Sequence, residues 1–185
     1  MAHRVCPWWL GYFLISPLRK WRQNPGKILD GFVREGMTVL EPGPGMGFFT
    51  IDLLRQVGPA GRVVAIDVQE KMLSRLKRRA AKAGLIKSLD ARLASPNSMA
   101  IEDLAGMADF TLAFAVVHEF PDVGEFFRQV SAASKANSSL LLAEPSGHVT
   151  PMEFKGELGA ASRYGFHLFS RPNIRGSRAA LLRKN

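Results

Sequence analysis

The stretch from Met37 to Gly47, Met-Thr-Val-Leu-Glu-Pro-Gly-Pro-Gly-Met-Gly, constrains this chain more than any other. Thr38, Val39 and Leu40 form the short apolar run of a buried strand, and Glu41 ends it. Gly43, Gly45 and Gly47 then alternate with Pro44 and Met46, and the amphipathic run from Phe48 to Val57 predicts a helix. Glycine lets the backbone turn tightly and approach a ligand with no Cβ in the way. The amides of the helix N-terminus then face whatever lies over the turn. Such turns also serve as plain strand-to-helix connections, so the motif takes its weight from context. Arg62 to Ile66 predicts a second buried strand that ends in Asp67, about 20 residues past the glycines. A carboxylate in that position suits the hydroxyls of a ribose.

Two nucleotide-binding layouts share this order. A dinucleotide site uses Gly-x-Gly-x-x-Gly and sets the helix dipole against a pyrophosphate. Here the third glycine comes one residue early, and Glu41 precedes the turn. A carboxylate there repels a pyrophosphate and suits a cationic ligand. On the strength of "VLEPGPGMGFFT" and "VVAIDVQEKML", the chain resembles the class I S-adenosylmethionine-dependent methyltransferases from about Met37 to the C-terminus. It is similar to their small-molecule branch, which includes the ubiquinone/menaquinone methyltransferases. The resemblance implies S-adenosylmethionine as cofactor. It places Gly43, Gly45 and Gly47 at the cofactor's amino-acid end, with Glu41 near the ammonium group and Asp67 on the ribose hydroxyls. It places Val68 and Met72 against the adenine, and Phe114 and Ala115 behind the cofactor. The family has an aspartate after its third strand that receives the adenine amino group. Here that loop reads Ala94-Ser95-Pro96-Asn97-Ser98, which leaves Ser95 or Asn97 as the substitute.

The rest of the chain alternates. Glu70 to Ala83 predicts a helix with Met72, Leu73 and Leu76 inward, and with Lys71, Arg75, Lys77, Arg78, Arg79 and Lys82 on a solvated face. Gly84 ends it. Ser88–Leu93 is a third strand, Ala94–Met99 a loop and Ile101–Ala105 a turn of helix. Asp109–Val117 is a fully apolar fourth strand, Val123–Ala133 a helix and Ser138–Ala143 a fifth strand. A helix starting at Thr150 or Pro151 runs through Ser162, and Gly165–Ser170 with Ser177–Arg183 form an antiparallel hairpin. The expected fold is α/β: a doubly wound, mostly parallel, seven-stranded Rossmann-like sheet ending in an antiparallel hairpin. One methyltransferase domain is expected over 1–185, with 1–36 as an N-terminal lid or cap and 37–185 as the cofactor-binding core.

Ligands of such sheets bind outside the carboxyl ends of the strands. Those ends carry Glu41, Asp67, His118 with Glu119, and Glu144 with His148. Transfer from a sulfonium needs mainly alignment of the reacting atoms, and a base helps where the acceptor has a proton to lose. His118 is the first candidate base, at an ordinary pKa of roughly 6.5. Glu144 and His148 are the alternates. A histidine at a strand end also serves as a hydrogen-bonded structural residue. No His-x-x-x-His or similar spacing exists, so no metal is expected.

Composition narrows the partners. The formal charge of +9 favours acidic partners, whether an anionic substrate, a nucleic acid or a membrane surface, or is simply spread over a soluble protein. Cys6 is the single cysteine, which excludes an internal disulfide, fits a cytoplasmic protein and argues against arsenite methylation. The apolar segment Val5–Leu18 is too short to span a bilayer and is broken by Pro7, Gly11 and Pro17. It fits a lid over the cofactor cleft, a membrane-surface anchor or packing on the core. Base N-methylating enzymes resemble one another in an Asn/Asp-Pro-Pro-aromatic motif after the fourth strand. Val117-His118-Glu119-Phe120 stands there instead, so a small molecule rather than nucleic acid is the expected acceptor. A macromolecule methyltransferase, a cofactor-binding protein without turnover and an NAD-dependent enzyme remain the competing readings. The sequence does not set the oligomeric state.

Overall fold

The computed structural model describes residues 23–95 and 98–185, so the segment Val5–Leu18 and Asn97 lie outside the described residues. The strands among them form a seven-stranded sheet in the order β3-β2-β1-β4-β5-β7-β6, mostly parallel with antiparallel pairing at the C-terminal end. The chain divides into two compact units, one within Val5–Ala100 and the other over Ile101–Asn185.

In the first unit, α1 (Pro25–Leu29) starts where the Asn24 side chain accepts from the amides of Gly26 and Lys27. β1 (Thr38–Pro42) leads through the glycine turn to α2 (Thr50–Val57), whose apolar face buries Ile51, Leu53, Leu54 and Val57. β2 (Arg62–Asp67) pairs parallel to β1, and β3 (Leu89–Leu93) pairs parallel to β2. Between them, α3 (Glu70–Lys82) buries Met72, Leu73, Leu76 and Ala80. Helix α2 begins at Thr50 rather than Phe48. The reason is local: Gly43, Gly45 and Gly47 sit at φ of 68°, 54° and 82°, and a helix cannot propagate from the left-handed region.

In the second unit, β4 (Ala108–Phe114) pairs parallel to β5 (Ser134–Pro145). Helix α4 (Val123–Ala133), between them, is capped by the Asp122 side chain on the Glu125 amide. Helix α5 (Pro151–Arg163) opens with a reciprocal cap between Thr150 and Glu153. β6 (Phe166–Ser170) pairs antiparallel to β7 (Ser177–Lys184), and β7 pairs antiparallel to β5, so the last strand is inserted between β5 and β6. Two strand boundaries differ from the sequence reading. β5 starts four residues early, at Ser134, and carries Asn137 at φ 62° beside a register shift. β4 stops at Phe114, because Ala115 takes φ 56° and Val117–Glu119 wind into a 3-10 turn.

Candidate active site

Each unit gathers polar residues at the carboxyl ends of its own parallel strands. In the first, Glu41 lies at the end of β1 and is 3% exposed; its Oε2 atom has no hydrogen-bond partner. Burial pushes its pKa up to about 8, with the neighbouring Asp67 charge adding to the rise. The Thr50 hydroxyl opposes that rise, yet its oxygen makes no hydrogen bond of normal geometry, so burial dominates. At neutral pH the carboxyl therefore carries its proton. The repulsion of an anion expected from the sequence is weaker than a bare carboxylate would exert. What Glu41 offers is a buried oxygen in need of a donor or a cation.

Asp67 ends β2 and is nearly buried. Its Oδ1 accepts from the Gln69 amide at 2.8 Å. Burial raises its pKa to about 6, against the opposing pull of backbone hydrogen bonds at Gln69, Gly45 and Val68. The glycine turn is held by Gly43 N–H to Ile66 O at 2.8 Å and Gly47 N–H to Pro44 O at 2.9 Å. Among the described residues there is open space around Gly45: a Cβ built there meets none of their atoms within 4 Å. Gly47 is the opposite case, since a Cβ there lies 2.5 Å from Leu76 Cδ1. Of the other expected contacts, Met72 is buried in the core, Val68 is 48% exposed and Ser95 accepts from the Ser98 amide at 3.1 Å.

Arg79 departs from the sequence reading. It is half-buried rather than on the solvated face of α3. Its guanidinium donates to the carbonyls of Met46 and Gly47, the latter at 3.0 Å. It occupies the turn's carbonyls from the helix side. One arginine in a run of cations gives no signal of this, but its i+3 spacing from the buried Leu76 does.

In the second unit, Glu144 is fully buried near the end of β5. Oε1 accepts from the amides of Val116 (3.3 Å) and Val117 (2.8 Å), and Oε2 lies 2.5 Å from His118 Nδ1. With its oxygens engaged by two N–H donors and a ring nitrogen, Glu144 is an acceptor. His118 Nδ1 therefore carries the hydrogen, and Nε2 is the nitrogen left to a ligand. The hydrogen bond to Glu144 raises the His118 pKa above its ordinary value, outweighing partial burial; the Glu144, Glu119 and Glu157 charges add to the rise. His148 is exposed, and its ring stands edge-on to His118 at 6.1 Å between centroids. Phe114 ends β4 nearly buried, and Ala115 donates to Ala143 O at 2.7 Å. Among the described residues no group of three or more His, Cys, Asp or Glu is arranged to hold a metal ion.

The sequence reading missed Glu157. It projects from α5 onto the core face, in step with Phe154 and Ala161, and is 6% exposed. Burial and then the Glu144 charge raise its pKa to about 8.

A family model described as a methyltransferase domain matches residues 33–167. The chain belongs to that family. It is a methyltransferase domain of the class I S-adenosylmethionine-dependent type, with S-adenosylmethionine as cofactor. It is similar to the ubiquinone/menaquinone biosynthesis C-methyltransferase of Escherichia fergusonii, at 27% identity over 145 residues, covering 75% of this chain and 53% of that protein. The methyltransferase thus spans about half the length of that curated relative. A SAM-dependent methyltransferase from Aquifex aeolicus has the same fold, with a TM-score of 0.85 at 24% identity, over 98% of this chain and 100% of that one. So does the geranyl diphosphate C-methyltransferase of Streptomyces coelicolor A3(2), solved with S-adenosyl-L-homocysteine: TM-score 0.68 at 10% identity, over 87% and 78% of the two chains.

The two glycines make a contrast that is measurable in this methyltransferase. Gly47→Ala combines a left-handed backbone with a clash on Leu76 and should cost about 2–5 kcal/mol of stability. Gly45→Ala carries only the backbone strain, on the order of 1–2 kcal/mol, and should weaken S-adenosylmethionine binding more than it weakens the fold. Melting curves and calorimetry on both variants check this; equal loss of stability in the two would reject the contrast.

Proposed function

We propose that this methyltransferase acts on a small-molecule acceptor, and that His118, held by Glu144, is the side chain that serves that acceptor. The observation that carries the reading is the Glu144 arrangement. One buried carboxylate grips two backbone amides and the Nδ1 side of His118, which leaves Nε2 free for chemistry. His148, beside it, forms the exposed edge of the same cluster.

On this reading the cofactor's groups are held in the first unit. The unpartnered oxygen of Glu41 suits an ammonium group, Asp67 suits the ribose hydroxyls, and the open space at Gly45 admits the amino-acid end. Val68 and Ser95, both exposed, take their expected part beside the cofactor in this proposal. S-adenosylmethionine, when bound, supplies a methyl group on a sulfonium whose departing thioether is neutral. The protein's part is orientation and a proton. His118 Nε2 takes the proton of an acceptor hydroxyl, and Glu144 stabilises the resulting imidazolium. The acceptor oxygen is left as an anion, and His118 then carries a hydrogen on each ring nitrogen, Nδ1 towards Glu144 and Nε2 towards the acceptor.

Similarity to a biosynthetic C-methyltransferase supports a small acceptor. The charge of +9 supports an anionic or membrane-associated one. Among the described residues no helix is long and apolar enough to cross a membrane. We place the protein in the cytoplasm and treat the whole chain as one functional domain.

Calorimetry with S-adenosylmethionine, S-adenosylhomocysteine and NAD tests the cofactor half. Asp67→Ala should weaken binding by roughly 1.5–3 kcal/mol, the worth of hydrogen bonds to a charged group. His118→Ala should leave it within about 1 kcal/mol while turnover falls. Wild-type affinity in Asp67→Ala, or preference for NAD, would sink the assignment.

A further inference from the structure

Glu157 has no role in the chemistry described so far. A buried carboxyl ordinarily has a hydrogen-bond or ion-pair partner. Here Oε2 has none, although the residue is 6% exposed. The charged groups that face it are Glu144 from β5, His118 from the 3-10 turn and Glu153 from its own helix. Glu119 also acts on His118, and the His148 ring stands against it. No lysine or arginine is in that set, so among the described residues Glu157 has no ion-pair partner.

We propose that Glu157 and His118 form the recognition edge of the acceptor site, and that the acceptor they fit presents an oxyanion. This rests on the reading above, in which His118 serves the acceptor. With its pKa near 8, Glu157 carries a proton at neutral pH and is a donor. His118, raised by Glu144, is a donor at Nε2 in its protonated state. Two donors beside one already satisfied carboxylate match a ligand oxygen bearing negative charge. A protonated amine would meet donors where it needs acceptors. The charges of Glu144 and imidazolium His118 cancel, so a neutral Glu157 leaves nothing to repel the incoming anion. Above about pH 8 Glu157 ionises, and the match is lost.

The test uses the full chain loaded with S-adenosylhomocysteine, with para-nitrophenol as probe because its colour reports whether it is bound as the phenolate. Wild type should bind the phenolate near neutral pH and lose it as Glu157 ionises. Glu157→Gln, which keeps a neutral donor, should bind within about threefold of wild type and hold the phenolate into the alkaline range. Glu157→Leu should bind roughly tenfold or more weakly, a loss of about 1.4 kcal/mol. If the glutamine variant is as weak as the leucine one, negative charge is what the site uses, and the oxyanion class is overturned. If both variants match wild type, Glu157 is a buried structural residue. Should the leucine variant fail to fold, the alkaline limb of the glutamine variant decides alone. No phenolate binding by wild type with normal S-adenosylhomocysteine affinity overturns this inference and spares the methyltransferase reading. Absent S-adenosylhomocysteine binding overturns that reading itself.

Discussion

Glu144→Ala should destabilise the protein by about 3–5 kcal/mol, the scale of breaking a buried charged contact and stranding its partners. The substitution removes the acceptor for the Val116 and Val117 amides and the counter-charge of His118 together. Glu144→Gln separates the two roles. Its amide oxygen still accepts from the backbone, so the fold should survive. Its NH2 group faces Nδ1, which then turns acceptor and forces the hydrogen to Nε2. A histidine in that tautomer cannot take a proton at Nε2. Denaturant melts should therefore show a large loss for alanine and a small one for glutamine, while turnover collapses in both. Retention of activity in a folded Glu144→Gln protein would remove His118 from the chemistry.

The free protein should lose stability steadily as pH rises from about 5 to 8. Glu41 and Glu157 move from 4.5 to about 8, and Asp67 from 3.8 to about 6. Each raised carboxyl binds its proton more tightly folded than unfolded, so the folded state holds more protons across that window and stability falls with pH. His118 has the same sign: its raised value stabilises below the ordinary imidazole range, and the gain is lost as pH passes its folded value. All these groups pull the same way, so Tm should fall across the whole window. Glu41→Gln should flatten the slope. S-adenosylmethionine should restore more stability at the alkaline end, where its cationic groups meet an ionised Glu41. Binding at neutral pH should release a proton, visible as a calorimetric enthalpy that changes with the buffer. A Tm that rises with pH would contradict the burial of these groups.

Elements with local causes were legible in the sequence. Val123–Ala133 was expected with the bounds it has, because Asp122 caps it and Phe126, Phe127 and Val130 mark its inward face. The antiparallel pairing of the last two strands followed from their short connection. The end of β4 was not legible. Ala115, Val116 and Val117 continue an apolar run, and what stops the strand is a left-handed alanine and a carboxylate 27 residues downstream of Val117. That is tertiary information. Glu157 and Arg79 were hidden for a related reason: a charged residue on an amphipathic helix is solvated by default, and only the opposing partner shows otherwise. The glycine turn, Asp67 and the His118–Glu144 set were named from the sequence, but the hold of Glu144 on the backbone was not.

Arg79 bears on any effort to re-engineer the molecule's surface. The outer side of α3 invites charge trimming, for solubility or for weaker non-specific adhesion, and Lys77, Arg78 and Lys82 are exposed positions for it. Arg79 lies in the same sequence run, yet it is a tie-rod whose head is anchored on Met46 and Gly47 carbonyls. A redesign that treats the run as interchangeable cations would leave the surface better behaved and the glycine turn unbraced.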